Sequence, residues 1–391
     1  MSHSATADVI VVGLGAMGAA TLARLARRGA RAIGIDRRHP PHDHGSSHGE
    51  TRITRLAVGE GAVYVPLARR SHALWREMEQ ETGKRLMLQV GGLIFGSGDS
   101  GAALHGRQAF VRHTIELAES FGISHEVLDA ANIEARFPQF ALRGDELGYY
   151  EPEAGMLFPE ACIAAQLELA ARDGAIIRTG ETVHEITETG SGVAVSTDAG
   201  SYAAGEVVLA VGAWLPGMLQ GTLAARARVY RQTLHWFAPE DPSFYAPNRF
   251  PVFIWMHGKR ETDHFYGFPM LPGSAGVKLA TEQYAGETTV ETVERAVSPA
   301  ESDAMYATHV AGRLHGVSGR ATRSSACLYT VTPDRGFIVD RAHGQAHVHV
   351  VSACSGHGFK HSAALGEAVA ATVLGETIPH LAPFSLARFA G

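Results

Sequence analysis

The run Asp8-Val-Ile-Val-Val-Gly13-Leu-Gly15-Ala-Met-Gly18, followed by a helical stretch and then by Ala32-Ile-Gly-Ile-Asp36, decides the fold of this chain. It reads as a strand, a glycine-rich turn, a helix, and a second strand that ends in an acid. Gly13 permits the tight turn, Gly15 lets backbone approach a pyrophosphate, and Gly18 lets the helix lie close on the strand. The helix N-terminus presents unpaired N–H groups and the positive end of its dipole to phosphate oxygens. Asp36 can accept both hydroxyls of an adenosine ribose. A bare G-x-G-x-x-G is weak, because any glycine-rich strand–helix turn can show it. Here the apolar strand before it, the amphipathic helix after it and the acid beyond imply a dinucleotide site. The motif does not choose between FAD and NAD.

The chain has 391 residues, room for two domains and a large core. Its net charge is −6, and Arg37-Arg38 and Arg69-Arg70 are only basic pairs, so no nucleic-acid partner is expected. No apolar run approaches the roughly 20 residues of a membrane span, so no membrane partner is expected either. Seven residues without an apolar run precede the expected first strand, which leaves no room for a signal peptide. Cys162, Cys327 and Cys354 form neither a CxxC nor a zinc pattern, and an odd, sparse set fits a reducing cytoplasm. The 21 histidines are organised by no HExxH helix, and no metal site is expected.

Further along, Gly29 closes the first helix, and residues 39–52 form a polar Gly- and Pro-rich loop just past the second strand, where ligands are handled. Periodicity predicts helices over 65–81, 103–122, 160–173 and 361–374. It predicts strands with a glycine kink over 86–96, a strand over 175–178, and a hairpin over 183–186 and 193–196. Residues 205–211 are an apolar strand running into a small-residue turn, residues 226–290 look mainly antiparallel, and 347–352 is a late strand. The expected organisation is a discontinuous dinucleotide-binding domain (1–87, 148–219 and 325–391) with a substrate domain (88–147 and 220–324) inserted.

Four further stretches carry a resemblance: Gly45-Ser-Ser-His48-Gly49-Glu-Thr51-Arg52-Ile-Thr-Arg55, Tyr266-Gly-Phe-Pro269 with Gly276-Val-Lys278-Leu279, Ala326-Cys327-Leu-Tyr-Thr-Val-Thr-Pro333-Asp334, and Ser355-Gly356-His357-Gly358-Phe359-Lys360. Over nearly its whole length the chain resembles the monomeric sarcosine oxidase and N-methyl-tryptophan oxidase family of flavoprotein amine oxidases. The resemblance, and not the composition, makes the cofactor FAD. It implies an α/β fold: an FAD-binding Rossmann-like domain of the glutathione-reductase-2 or D-amino-acid-oxidase type, with an inserted, mainly antiparallel substrate domain.

The resemblance also implies roles. Gly13, Gly15, Gly18, Asp36, Thr51, Gly356 and Gly358 would hold FAD, and Cys327 would link to the flavin 8α-methyl through a thioether. A thiolate is a competent nucleophile for that carbon, although a lone Cys is by default a small buried hydrophobe; Cys354 and Cys162 read as packing. Arg55 and Lys360 would grip a substrate carboxylate, the Arg fork suiting both oxygens. Lys278 would supply a fixed positive charge for oxygen reduction, with His48 and Arg52 near the flavin ring and Tyr266 on the substrate wall. One departure stands out. Where sarcosine-type members have a substrate-contacting histidine, four residues after the lysine, this chain has Glu282. Facing the pocket, that carboxylate would favour a substrate with an extra cation or several hydroxyls; facing solvent, it would do neither.

The expected activity is oxidation of a secondary amine bearing a carboxylate, such as an N-methyl amino acid. The products would be the amino acid, formaldehyde and hydrogen peroxide, and the partners would be the amine and O2, on a monomeric protein. Competing readings are oxidation of cyclic imino acids or fructosyl amino acids, a dehydrogenase with another electron acceptor, and a flavin-binding module without turnover.

Overall fold

The computed structural model describes residues 3–98, 103–218 and 226–389. Its strand His3–Val12 pairs in parallel with Ala32–Asp36 on one side and Gly200–Leu209 on the other. Ile176–Thr179 and Val348–Ser352 extend this parallel array outward, and the hairpin of Val183–Thr189 and Gly192–Thr197 flanks it. Val9 to Val12 and every residue of Ala32–Asp36 are buried, the continuous apolar pattern of strands covered on both faces. The register sets Val12 beside Ile35, so the first glycine turn and Asp36 emerge at the same sheet edge. The helix Ala16–Arg27 lies between Pro159–Arg172 and Ser362–Val373. A Cβ on Gly366 would come within 2.4 Å of the Ala20 methyl, so only glycine allows that helix approach.

Among the described residues the second sheet has nine strands and is mainly antiparallel, built around the long pair Arg228–Pro239 and Val317–Val331. Its outer half packs Phe95, Phe140, Phe250, Phe253, Trp255 and Phe265 into one aromatic core. Several of these rings meet edge to face, as Phe140 and Phe253 do at 5.1 Å, an arrangement the ring quadrupoles favour. A small sheet of Arg52–Thr54, Gly155–Leu157 and Met87–Gln89 lies between the two large ones. The cavity opens along this junction. No helix among the described residues is long and apolar enough to cross a membrane.

The helix expected over 65–81 spans Val65–Thr82 and stops at Gly83, whose φ of 67° caps it. The helix expected over 103–122 is corrected: it is Phe110–Ser120. His105, Gly106 and Ala109 all take left-handed backbone angles (φ 53°, 74° and 48°), which no helix can include. Residues 103–109 instead form a loop, and Leu104 and His105 reach the cavity wall.

Candidate active site

One cavity of ≈ 380 Å3 runs from the glycine turn to Glu282. Its first end is built by the opening strand and helix. Gly13, at φ +87°, lies so close to the neighbouring strand end that a Cβ would sit 2.7 Å from the Ala210 carbonyl oxygen. A Cβ on Gly18 would sit 1.7 Å from the Gly13 oxygen. Gly15 faces open space, with nothing within 4 Å of where its Cβ would be. The helix that starts there has no side-chain cap and no acid in its first turn, so its N–H groups remain available to an anion. Asp36 is buried; the Leu14 amide donates to one of its oxygens at 2.7 Å and the Arg38 amide to the other at 2.8 Å. Gly15 and Asp36 both line the cavity. These groups fit a dinucleotide: an open anion cradle, then a fixed acceptor where a ribose would follow.

Lys278 comes from the strand Val277–Ala280 and is buried one layer behind the cavity wall. Its Nζ donates to the carbonyls of Gly49 (2.6 Å) and Thr51 (2.8 Å) and reaches the Thr51 hydroxyl at 3.2 Å. Burial, with the Arg52 charge adding to it, pulls this ammonium well below the usual lysine range. Its three oxygen partners match the three N–H bonds that only the protonated form possesses. Gly49 and Glu50 both have positive φ, 91° and 73°, and this turn brings the Gly49 and Thr51 carbonyls onto the amine. Glu160 fixes the turn by accepting from the Gly49 and Glu50 amides. Arg52 lines the cavity and donates to the carbonyls of Thr51 and Ser46. His48 is buried with an Nε2 that has no partner among the described residues, and burial drops its pKa to about 4, so it is neutral.

Cys327 is buried in Val317–Val331, paired opposite Gln232. Burial pushes its thiol up, and the Arg52 and Lys278 charges pull it back. Like Lys278, His48 and Thr51, it is not itself part of the cavity lining, whereas its neighbour Cys354 is.

At the far end Arg55 and Lys360 lie together, both buried and both on the cavity. Arg55 is already engaged. Nη2 binds both oxygens of Glu60 (3.0 and 2.7 Å), and Nη1 donates to the Ala57 carbonyl at 2.5 Å. Its buried Nε has no partner among the described residues. Lys360 donates to the His357 carbonyl at 2.7 Å and lies 3.9 Å from Glu60. Burial and the repulsion of Arg55 lower Lys360 to about 8, against the attraction of Glu60. Burial alone would raise Glu60, but Arg55 and Lys360 override it and hold the carboxyl well below its usual range. The cluster thus carries two cations and one anion.

Two residues that sequence reasoning missed shape this end. Glu60 is one; its signal is only an acid five positions after Arg55. Glu151 is the other, fully buried, accepting from the Leu56 amide (2.7 Å), the Ala57 amide (3.1 Å) and the Tyr149 hydroxyl (2.7 Å). It fixes the backbone just beyond Arg55. Glu151→Ala strands three donors at about 1–3 kcal/mol each, not fully additive. Thermal unfolding is expected to show a clearly lowered Tm, and an unchanged Tm would remove Glu151 from this role.

Glu282 faces the cavity, with only 7% of its side chain exposed. His105 donates to it at 3.0 Å and the Tyr284 hydroxyl at 2.8 Å. Burial works against its ionisation, but the adjoining His105 overrides this and brings Glu282 to about 2. In turn Glu282 raises His105 despite burial. A Cβ on Gly356 would lie 2.7 Å from a Glu282 oxygen and one on Gly358 1.7 Å from the Ala353 oxygen, so this turn passes only as glycine. Tyr266 also lines the cavity, its hydroxyl 3.5 Å from that of Tyr329.

A dinucleotide cradle that continues into a pocket lined by two buried cations is the arrangement of a redox enzyme. The chain belongs to the DAO family of FAD-dependent oxidoreductases, whose pattern it matches over residues 8–372. It is 37% identical over 381 residues to the monomeric sarcosine oxidase of Streptomyces avermitilis, covering 96% of each chain. It is 31% identical to the N-methyl-L-tryptophan oxidase of Salmonella dublin, covering 98% of this chain and 99% of that one. Among solved structures, the open form of the amino acid oxidase NikD superposes with a TM-score of 0.83 at 25% identity, covering 97% of both chains.

Proposed function

We propose that this protein is an FAD-dependent oxidase of N-methyl amino acids, releasing the amino acid, formaldehyde and hydrogen peroxide. The observation that carries this reading is the buried Arg55–Lys360 pair on a cavity continuous with the dinucleotide cradle, with an Arg55 Nε–H that has no partner among the described residues. Two cations against one Glu60 leave one positive charge, which one substrate carboxylate balances. Docking that carboxylate on Arg55 and Lys360 fixes the amine beside the Tyr266 wall, and positioning of this kind supplies much of the catalysis. Bound FAD supplies the hydride acceptor and the means of reducing O2. Lys278 and Arg52 hold positive charge where negative charge develops on oxygen. Neutral His48 adds no competing charge. The parallel sheet carries the dinucleotide cradle, and the antiparallel one carries Lys278, Cys327 and the Tyr266 wall. A cytoplasmic monomer completes the reading, supported by the sparse cysteines.

The test is anaerobic bleaching of the flavin by a panel of sarcosine, larger N-methyl amino acids, pipecolate, proline and a fructosyl amino acid, with air admitted afterwards. Bleaching by N-methyl amino acids, then recovery with peroxide, is expected. Bleaching only by the cyclic or fructosyl compounds would replace this substrate class.

Cys327 is the proposed 8α-thioether ligand, with Arg52 and Lys278 available to stabilise its thiolate. Acid precipitation of the holoenzyme is expected to give a yellow pellet and Cys327→Ser a colourless one. A colourless wild-type pellet would refute the link.

Carboxylate binding is expected to weaken in alkali. A bound carboxylate raises the Lys360 pKa, so binding takes up a proton once Lys360 has lost its own. Below pH 8 the proton is already present and affinity is level. Above about 8 each pH unit costs up to about tenfold. Propanoate, which has no amine to titrate, read by its perturbation of the flavin spectrum, isolates this effect. Level affinity up to pH 10 would remove Lys360 from the carboxylate site.

A further inference from the structure

The far wall of the cavity holds polar groups that carboxylate docking and oxygen chemistry leave unused. We propose that Glu282 and His264, with His105 beside them on the wall and Tyr284 behind, form a subsite for an uncharged, hydroxyl-bearing substituent of the substrate. This rests on the N-methyl amino acid reading and specifies the side chain that it leaves open.

His264 provides the first argument. It is 3% exposed, lines the cavity, and sits at the start of the strand His264–Gly267. Its Nδ1 lies 2.6 Å from the Glu261 carbonyl, a contact that requires Nδ1 to carry the proton. Burial keeps the ring neutral, so Nε2 is a bare lone pair, and it has no partner among the described residues. A buried acceptor left unpaired is costly, and a hydroxyl donor from the substrate would satisfy it.

Glu282 provides the second. His105 and Tyr284 each take up one of its acceptor positions, and a carboxylate has about four. Two acceptors, one carboxylate and one imidazole, therefore meet on the same stretch of wall.

Charge decides which donor they take. The Glu282 carboxylate is matched by His105, which the loop 103–109 brings over the cavity from 177 positions away in sequence. The Arg55–Lys360–Glu60 cluster is balanced once the substrate carboxylate docks, so it offers no spare counterion either. A second substrate cation would be buried without a partner charge, which desolvation penalises heavily. A hydroxyl brings a donor and no charge. The Gly356 backbone packs directly against this cluster and holds it in place, since any side chain there would collide with Glu282, His105 and the Tyr284 hydroxyl.

The test compares substrates that differ in one group. N-methylserine, N-methyl-2-aminobutyrate and N-methyl-2,3-diaminopropionate end in a hydroxyl, a methyl and an ammonium on otherwise matching side chains. The holoenzyme is expected to show at least about tenfold higher kcat/KM for N-methylserine than for either of the others. In His264→Phe the preference over N-methyl-2-aminobutyrate is expected to shrink to about threefold or less. Glu282→Gln, which keeps the shape but removes the charge, provides a second variant, and the flavin spectrum reports that each is folded. Equal kcat/KM for the hydroxyl and methyl substrates would overturn the subsite while leaving the N-methyl amino acid reading intact. Preference for the ammonium substrate would overturn it in favour of a cation site. Turnover of none of the three, together with no bleaching by sarcosine, would overturn both readings.

Discussion

Replacing Lys278 with Met should leave anaerobic flavin reduction by substrate within about tenfold of wild type while slowing reoxidation by O2 by on the order of 10²–10³-fold. That is the range observed when one preorganised group is removed from a developing negative charge. The side chain is held by the Gly49 and Thr51 carbonyls and the Thr51 hydroxyl, and lies 4.6 Å from the centre of the Phe268 ring. Its position is therefore fixed before oxygen arrives, and no reorganisation is needed. Met matches the length and removes the charge, but it strands those acceptors and so lowers stability as well. Lys278→Gln separates the two effects, because an amide can still donate to the carbonyls without carrying charge. If Gln reoxidises like wild type, hydrogen bonding and not charge is what Lys278 contributes. If both variants reoxidise at the wild-type rate, Lys278 has no part in the oxygen reaction.

Arg55→Met should be the most damaging change at the substrate end, for two separable reasons. It removes the bidentate partner of Glu60, leaving a buried carboxylate with only Lys360 at 3.9 Å. Breaking one side of a buried pair costs about 3–5 kcal/mol of stability. It also removes the carboxylate fork, which should raise KM by on the order of 10–10²-fold. The double variant Arg55→Met with Glu60→Gln should recover much of the stability and none of the affinity. Glu60→Gln alone should tighten propanoate binding at neutral pH, since an internal competitor for the cations is gone. Weaker binding in Glu60→Gln would mean that Glu60 positions Arg55 more than it offsets its charge. Thermal unfolding and substrate titration read the two quantities independently.

Much of this was legible in the chain because it is local. The turn from Gly13 to Gly18 has one workable geometry, and Asp36 lies one strand further on, so residues in sequence order dictate the cradle. The hairpins, the Ala-rich helices and the helix Val65–Thr82 are equally local. The direction of Glu282 was not legible. The strand before it, Val277–Ala280, is buried at every position, so alternation could not say which face meets a cavity. Its partner His105 lies 177 residues away, on a stretch that periodicity assigned to a helix. The pattern from Phe110 onward is helical, but the left-handed residues before it are visible only once the loop is closed against Glu282. Glu60 and Glu151 were missed for the opposite reason: a single acid among ordinary neighbours reads as surface until the fold buries it.

The turn that clasps Lys278 and the Arg55–Glu60 ion pair belong to one uninterrupted stretch, residues 46–60. Remodelling this protein for a new acid therefore cannot treat residue 55 as an independent dial. Whatever is transplanted to alter substrate choice also carries the carbonyls that seat the lysine. A graft has to move residues 46–60 as a single cassette, along with Glu151 and Glu160, the acids that pin it from outside.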